Sequence, residues 1–321
     1  LSHVKKSARL MIEEKINKFL NAPNDSINLG NIDEINLNEN VKIFWGNEQI
    51  GKLISGSSII SPIAEALNSE YLTTEKKLLI SAKLQKWIDE LIKTKLWPVK
   101  ENIDNNISQN LRAIQFNVFE NLGITPIEKF NDFLKNISVE DKQVLSKLGI
   151  RTGAKYFFVP NFLKKTSMEL SALLWCVYNN YLMDGSPPLP KDGRVSFFSD
   201  NKIEKEYWSA IGYLNLNNFC IRVDVFERVF FIARQKIKIG PFLESSDLMN
   251  PIGCNSEQIR DILKFCGFGV LELNNHRNLY YNETKKLSKL TKSKPKKINL
   301  SKKSNNKKPK TNNKKSADPN S

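Results

Sequence analysis

One stretch, residues 148–175, constrains the fold more than any other. Leu148-Gly149-Ile150-Arg151-Thr152-Gly153 is followed by Tyr156-Phe157-Phe158-Val159-Pro160, then by Phe162-Leu163-Lys164-Lys165 running into Leu170, Leu173, Leu174 and Trp175. The order reads as a helix end, a short strand and a long helix. Two glycines let the backbone turn tightly. Pro160 suits a first helical turn, where its missing N–H costs nothing. The helix then carries two lysines near its start and a broad apolar face beyond them. Cations at a helix N-terminus oppose its dipole, so packing alone does not ask for them; they hint at an anionic partner.

The rest of the chain reads in the same terms. Val4, Ala8, Met11, Ile12, Ile16 and Leu20 fall at helical spacing, and 21–40 reads as a loop. Val41, Ile43 and Trp45 alternate up to Gly46-Asn47-Glu48-Gln49, and Ile50, Leu53 and Ile54 follow, which predicts a hairpin broken at Gly56 and Ser61-Pro62. Thr73 or Thr74 can cap a long helix bearing Leu78, Leu79, Ala82, Trp87, Ile88, Leu91 and Ile92. Helices are expected over 108–122, 126–136 and 138–148, the last opened by a Ser138/Asp141 capping box. Beyond the long helix come a helix at 203–211, a strand at 219–223, and a helix at 225–236 capped by Asp224. A helix–turn–helix at 246–267, with a second helix capped by Asn255 or Ser256, is followed by a hairpin of 270–273 with 279–281. That last order is winged-helix-like. The fold class expected is mainly α with small β-hairpins, α+β overall.

Charge is segregated. Of a net +15, residues 285–321 supply +13, from fourteen lysines and the single acid Asp318, which leaves about +2 for residues 1–284. This tail is rich in Lys, Asn, Ser and Pro and nearly free of large apolar residues, so it is expected to be disordered. A polycation of this kind serves phosphate backbones, with a mere solubility tail as the alternative. The expected organisation is an N-terminal helix and loop (1–40), a hairpin plus helical domain (41–183), a Pro/Gly linker (184–194), a small winged-helix-like subdomain (195–284) and the basic tail (285–321). No apolar run reaches membrane-spanning length and no signal peptide opens the chain, so a cytoplasmic protein without membrane contact is expected. The start, without Met and within a helix, suggests a piece of a longer protein. Cys176, Cys220, Cys254 and Cys266 show no C-x-x-C spacing, which argues for buried reduced thiols rather than zinc or disulfides.

Few motifs carry chemistry. Gly46-Asn47-Glu48-Gln49-Ile50-Gly51-Lys52 matches G-x-x-x-x-G-K, but Leu53 stands where a P-loop needs Ser or Thr for Mg²⁺, and no helix start follows. It reads as a hairpin turn. His3 and His276 are the only histidines and lie far apart, and no pair of carboxylates stands out, so no catalytic constellation is expected in this chain. Glu257, Gln258, Arg260 and Lys264 could face a duplex from the second helix of the helix–turn–helix. With only two basic groups there, a structural or weak backbone-contact role is favoured. In Ile221-Arg222-Val223-Asp224-Val225-Phe226-Glu227-Arg228, Asp224 and Arg228 can pair at i,i+4, and Arg222 is a second-choice nucleic-acid contact.

In this order the motifs resemble the C-terminal region of bacterial ATP-dependent RNA helicases similar to the mitochondrial degradosome helicase subunit, of the DExH type in superfamily 2. The matching pieces are the hairpin with Trp45, then Gly56 and Ser61-Pro62; Leu148-Gly149-Ile150-Arg151-x-Gly153; Pro160-x-x-Leu163-Lys164; Ile221-Arg222-Val223-Asp224-x-x-Glu227-Arg228; and Ile252-Gly253-Cys254 with Leu263, Gly267 and Phe268. Thr152 stands where that pattern has a larger apolar residue, and Lys165 where proline follows the lysine. The resemblance covers roughly residues 40–270. It implies that two motor domains lie upstream of Leu1 and hold the ATP and Mg²⁺, with no cofactor in this chain. It implies that the chain packs on the motor at the exit of single-stranded RNA. The partners so expected are RNA or DNA, the motor domains and a ribonuclease. The expected nucleic-acid contacts are Arg151, Lys164, Lys165 and Arg222, with Lys285, Lys286, Lys289, Lys292, Lys294, Lys296, Lys297, Lys302, Lys303, Lys307 and Lys308 as a tether. The alternative is a protein–protein scaffold docking onto an RNA-degrading or ribosomal assembly.

Overall fold

A computed structural model describes residues 2–30, 41–97, 107–134, 137–181, 188–200, 202–273 and 277–283. The chain divides into two units, Leu1–Asn282 and Glu283–Ser321, and all elements named below belong to the first. The tail lysines lie outside the described residues.

The unit is α+β, with helices packed on small antiparallel sheets. It begins with α1 (Ser2–Asn21), followed by β1 (Ile27–Leu29), β2 (Val41–Trp45), β3 (Glu48–Ser58) and β4 (Ser61–Ala66), a four-stranded meander, and then α2 (Thr74–Leu96). Thr73 caps α2, its hydroxyl accepting the Lys76 amide at 3.4 Å. One core joins Ile16 and Phe19 of α1, Ile27, Val41, Ile43 and Leu53 of the sheet, and Ile80, Leu84, Trp87 and Ile88 of α2. The expected hairpin is thus part of a larger sheet. β3 continues through Gly56 by way of a bulge between Ile54 and Ser58, and β4 accepts Pro62 because it is an edge strand. β1 falls in the stretch read as loop; only one of its three residues, Ile27, is buried, too little to show alternation.

Next come α3 (Gln109–Glu120), β5 (Ile124–Pro126), α4 (Asn131–Leu134), α5 (Val139–Lys147), β6 (Arg151–Thr152), β7 (Tyr156–Phe158) and α6 (Lys165–Asn179), with the strands in the order β5-β7-β6. The Ser138/Asp141 capping box is formed, both bonds at 3.0 Å. Pro160 does not open α6: it starts a separate 3₁₀ turn, Pro160–Leu163, and Lys164 is the N-cap of α6. Ten of the fifteen α6 residues are buried. Leu173 and Val177 pack into the core described above, while Leu170, Leu174 and Trp175 pack into a second core with Leu111, Ile114, Leu148, Ile150 and Phe157.

The remaining elements are β8 (Ser196–Phe198), α7 (Lys205–Ala210), β9 (Tyr213–Leu216), β10 (Phe219–Arg222), α8 (Val223–Ile239), β11 (Phe242–Leu243), α9 (Ser246–Met249), α10 (Ser256–Phe265), β12 (Phe268–Glu272) and β13 (Asn278–Asn282). The sheets run β8-β10-β9 and β11-β13-β12. From α8 onward the order is helix, strand, helix–turn–helix, hairpin, the element order expected for this part. Asn255 and Gln258 form the capping box of α10. Of the expected linker, the described part packs on the unit: Pro188 accepts the Tyr207 hydroxyl at 3.0 Å, and Leu189 lies against the second core.

One cation ties the first layer together. Lys83 on α2 donates from Nζ to the carbonyls of Phe19, Leu20 and Ala22 at 2.7, 3.0 and 2.6 Å, satisfying the open end of α1, and burial pushes its pKa down. Lys83→Ala is expected to cost about 1–2 kcal/mol, seen as a lower urea midpoint at unchanged slope.

Candidate nucleic-acid interface

The end of α2, the end of α5 and the start of the 3₁₀ turn enclose a cleft of about 340 Å³. Leu96, Trp97, Phe119, Leu148 and Val159 form its apolar walls, with Trp97 and Phe119 lying ring against ring at an interplanar angle of 19°. Lys147 and Arg151 stand on its polar side, both exposed. Asn161 closes the other side and donates from Nδ2 to the Lys95 carbonyl at 2.6 Å. That carbonyl also accepts the Ser167 hydroxyl at 2.9 Å, which fixes the start of α6 against the end of α2. Lys164 and Lys165 are exposed at this junction, one 3₁₀ turn beyond Asn161, at the positive end of the α6 dipole. Lys147, Arg151, Lys164 and Lys165 form no ion pair among the described residues.

Of the four body residues chosen from sequence, Arg151 lines the cleft, and Lys164 and Lys165 follow its rim residue Asn161 along the chain. Lys147 and Trp97 were missed. Lys147 lies in the last turn of α5, where any cation complements the helix dipole, and Trp97 is the C-cap of α2, so neither carries a local signal. Only their convergence gives them meaning.

The β6–β7 turn behind Arg151 is held from α8. Glu227 is buried, and its carboxylate accepts the amides of Ala154, Lys155 and Tyr156 at 2.5, 2.9 and 2.7 Å. Burial raises the Glu227 pKa, against the pull of the three N–H donors and of Arg234. The two glycines flanking Arg151 do different jobs. Gly149 has φ +78° and open space around it, so it is needed for its dihedral. Gly153 has no room for a Cβ, which would overlap the Glu227 carboxyl group.

Arg222 is a correction to the sequence reading. Its guanidinium grips Asp224 in a two-bond pair, Nε–Oδ1 2.7 Å and Nη2–Oδ2 3.0 Å, and this raises its pKa. Asp224 therefore pairs two residues back rather than with Arg228, and α8 starts at Val223 with Arg222 as its N-cap. An arginine held by a neighbouring carboxylate is a poor phosphate ligand. On α10, Arg260 faces Glu257 at 3.6 Å and Asp261 at 3.7 Å, which leaves Lys264 as the exposed basic group of that helix. Gly51 and Lys52 of the apparent P-loop lie inside β3, and Lys52 pairs with Glu65.

All four cysteines are free thiols, with Cys176 and Cys220 fully buried. Burial raises the pKa of Cys176 to about 12 and of Cys220 and Cys254 to about 11. Among the described residues no cluster of His, Cys, Asp and Glu could hold a metal ion, and no helix is long and apolar enough to cross a membrane.

Fold and site together define an α+β chain of helices on small antiparallel sheets with a cleft lined by Lys147, Arg151 and Trp97. Comparison with known protein families, with curated proteins and with solved structures found no match.

The Arg222–Asp224 pair is three-quarters buried and two-bonded. A double-mutant cycle on Arg222→Ala and Asp224→Ala is expected to give a coupling of about 1 kcal/mol by thermal unfolding.

Proposed function

We propose that this chain is the RNA-binding accessory C-terminal region of an ATP-dependent RNA helicase, and that it holds single-stranded RNA at the cleft bearing Arg151. The observation that carries the reading is a cleft lined by Lys147 and Arg151, without ion pairs among the described residues, beside the ring of Trp97, with the exposed Lys164 and Lys165 following Asn161 of its rim along the chain. Unpaired cations attract phosphates, and the half-buried Trp97, whose inner face lies on Phe119, leaves one aromatic ring for contact with a base; together they suit a single strand without sequence preference. The lysines from Lys285 to Lys308 act as a sequence-independent tether that raises the local RNA concentration. ATP hydrolysis belongs to the motor domains placed upstream by the resemblance, with ATP and Mg²⁺ bound there, in the cytoplasm.

The scaffold reading has one observation in its favour: Leu10 and Met11 on α1 and Leu78 and Leu79 on α2 are exposed apolar side chains. Such side chains suit a protein partner better than a phosphate backbone.

Fluorescence anisotropy with a labelled oligouridylate separates the two. Affinity of the full chain is expected to fall roughly a hundredfold or more between about 50 and 200 mM salt. Replacing the tail lysines by glutamine should flatten that dependence. In this substituted chain, Arg151→Ala and Lys164→Ala should each weaken binding severalfold and lower the salt slope by about one. Affinity indifferent to salt and to all of these substitutions would leave the scaffold reading standing.

A further inference from the structure

We infer that Glu227 is a positioning residue for the RNA cleft: from α8 it holds the β6–β7 turn, and through that turn it sets where Arg151 stands. The inference rests on the cleft reading above.

Three successive amides, 154–156, point at one carboxylate. Converging backbone N–H groups of this kind make a nest for an anion, and here the anion is supplied by a side chain of α8. Glu227 is 6% exposed and forms no ion pair among the described residues, so its hydrogen bonds come from the three amides, with Arg234 acting on it from farther off. Burying a carboxylate in this way is costly. The turn could instead have left its amides to water. What the carboxylate adds is direction: two oxygens accept three bonds, which fixes the turn in every direction relative to α8. The contact is closed on the other side by Gly153, where no side chain fits, and beside it by the edge-on packing of Tyr156 against Phe226 at 5.9 Å.

The turn matters to the cleft because β6 is only two residues long. Its ladder pairs Arg151 with Phe158 and Thr152 with Phe157, and the Gly153 amide bonds the Tyr156 carbonyl at 2.9 Å. On its other side Arg151 follows Ile150, whose amide closes the end of α5 through the Leu145 carbonyl at 2.9 Å. With so short a strand, Arg151 is restrained from outside its own hairpin on two sides, by the buried Ile150 at the end of α5 and by the anchored turn. Movement of α8 would therefore move Arg151, and an RNA phosphate held by Arg151 would stiffen the turn.

The test is a double-mutant cycle in the full chain carrying the tail glutamines, read by oligouridylate anisotropy and checked for folding by circular dichroism. Glu227→Gln keeps the shape but turns an NH₂ group toward the amides, and Gly153→Ala displaces the carboxylate from the opposite side. Each is expected to weaken RNA binding about fivefold, to add nothing to Arg151→Ala, and to add fully to Lys164→Ala. General loosening of the fold would not single out Arg151 in this way. In the unsubstituted chain, RNA is expected to slow hydrogen exchange at the amides of 154–156, a readout that holds even if a variant does not fold. Binding lowered by Arg151→Ala but untouched by Glu227→Gln and Gly153→Ala overturns the coupling alone, as does unchanged exchange at 154–156. Binding untouched by Arg151→Ala overturns the cleft and the coupling together.

Discussion

The burial of α6 is the constraint on which the rest of the unit depends. Its residues enter two cores, Leu173 and Val177 facing the four-stranded sheet and α2, and Leu170, Leu174 and Trp175 facing α3, β7 and α7. A helix buried on so many sides cannot shift without opening both cores, so the meander and the central layer are locked to a common element. The cleft inherits this rigidity. Its Asn161 and the junction lysines sit just ahead of α6, pinned to the end of α2 by two side chains sharing the Lys95 carbonyl.

Charge is arranged on a different plan from packing. The body is close to neutral, and several of its exposed charges find partners: Lys15 with Glu48, Lys52 with Glu65, Lys236 with Asp247. Exposed pairs of this sort add little stability. What they do is lower the positive field around each paired cation. Lys164 and Lys165 form no ion pair among the described residues and sit at the wrong end of a dipole. A bound anion would relieve that repulsion.

Much of this was legible in the chain because it is written locally. Thr73, Ser138 and Asn255 announce helix starts through bonds made within four residues, and the long helices show their apolar faces by spacing alone. The order of elements from α8 onward was readable for the same reason. The short strands were not: β1, β5, β6 and β8 have two or three residues each, too few for alternation to show, and they exist because a partner strand is brought to them. Position 222 misled because helical spacing offers Asp224 a partner at Arg228, whereas the extended backbone just before α8 lets Arg222 fold over it first. Glu227 was beyond any local reading. Its three donors lie more than seventy residues away, and the only trace in the sequence is a glycine at 153 that no dihedral requires.

The four-stranded meander has one more property. One edge, β1, is three residues long, and the other, β4, carries Pro62, which offers no amide to a further strand. Neither edge is a good template for adding a strand from a second molecule. Blunt sheet edges resist edge-to-edge aggregation through backbone chemistry, beside the repulsion that the +15 chain as a whole supplies.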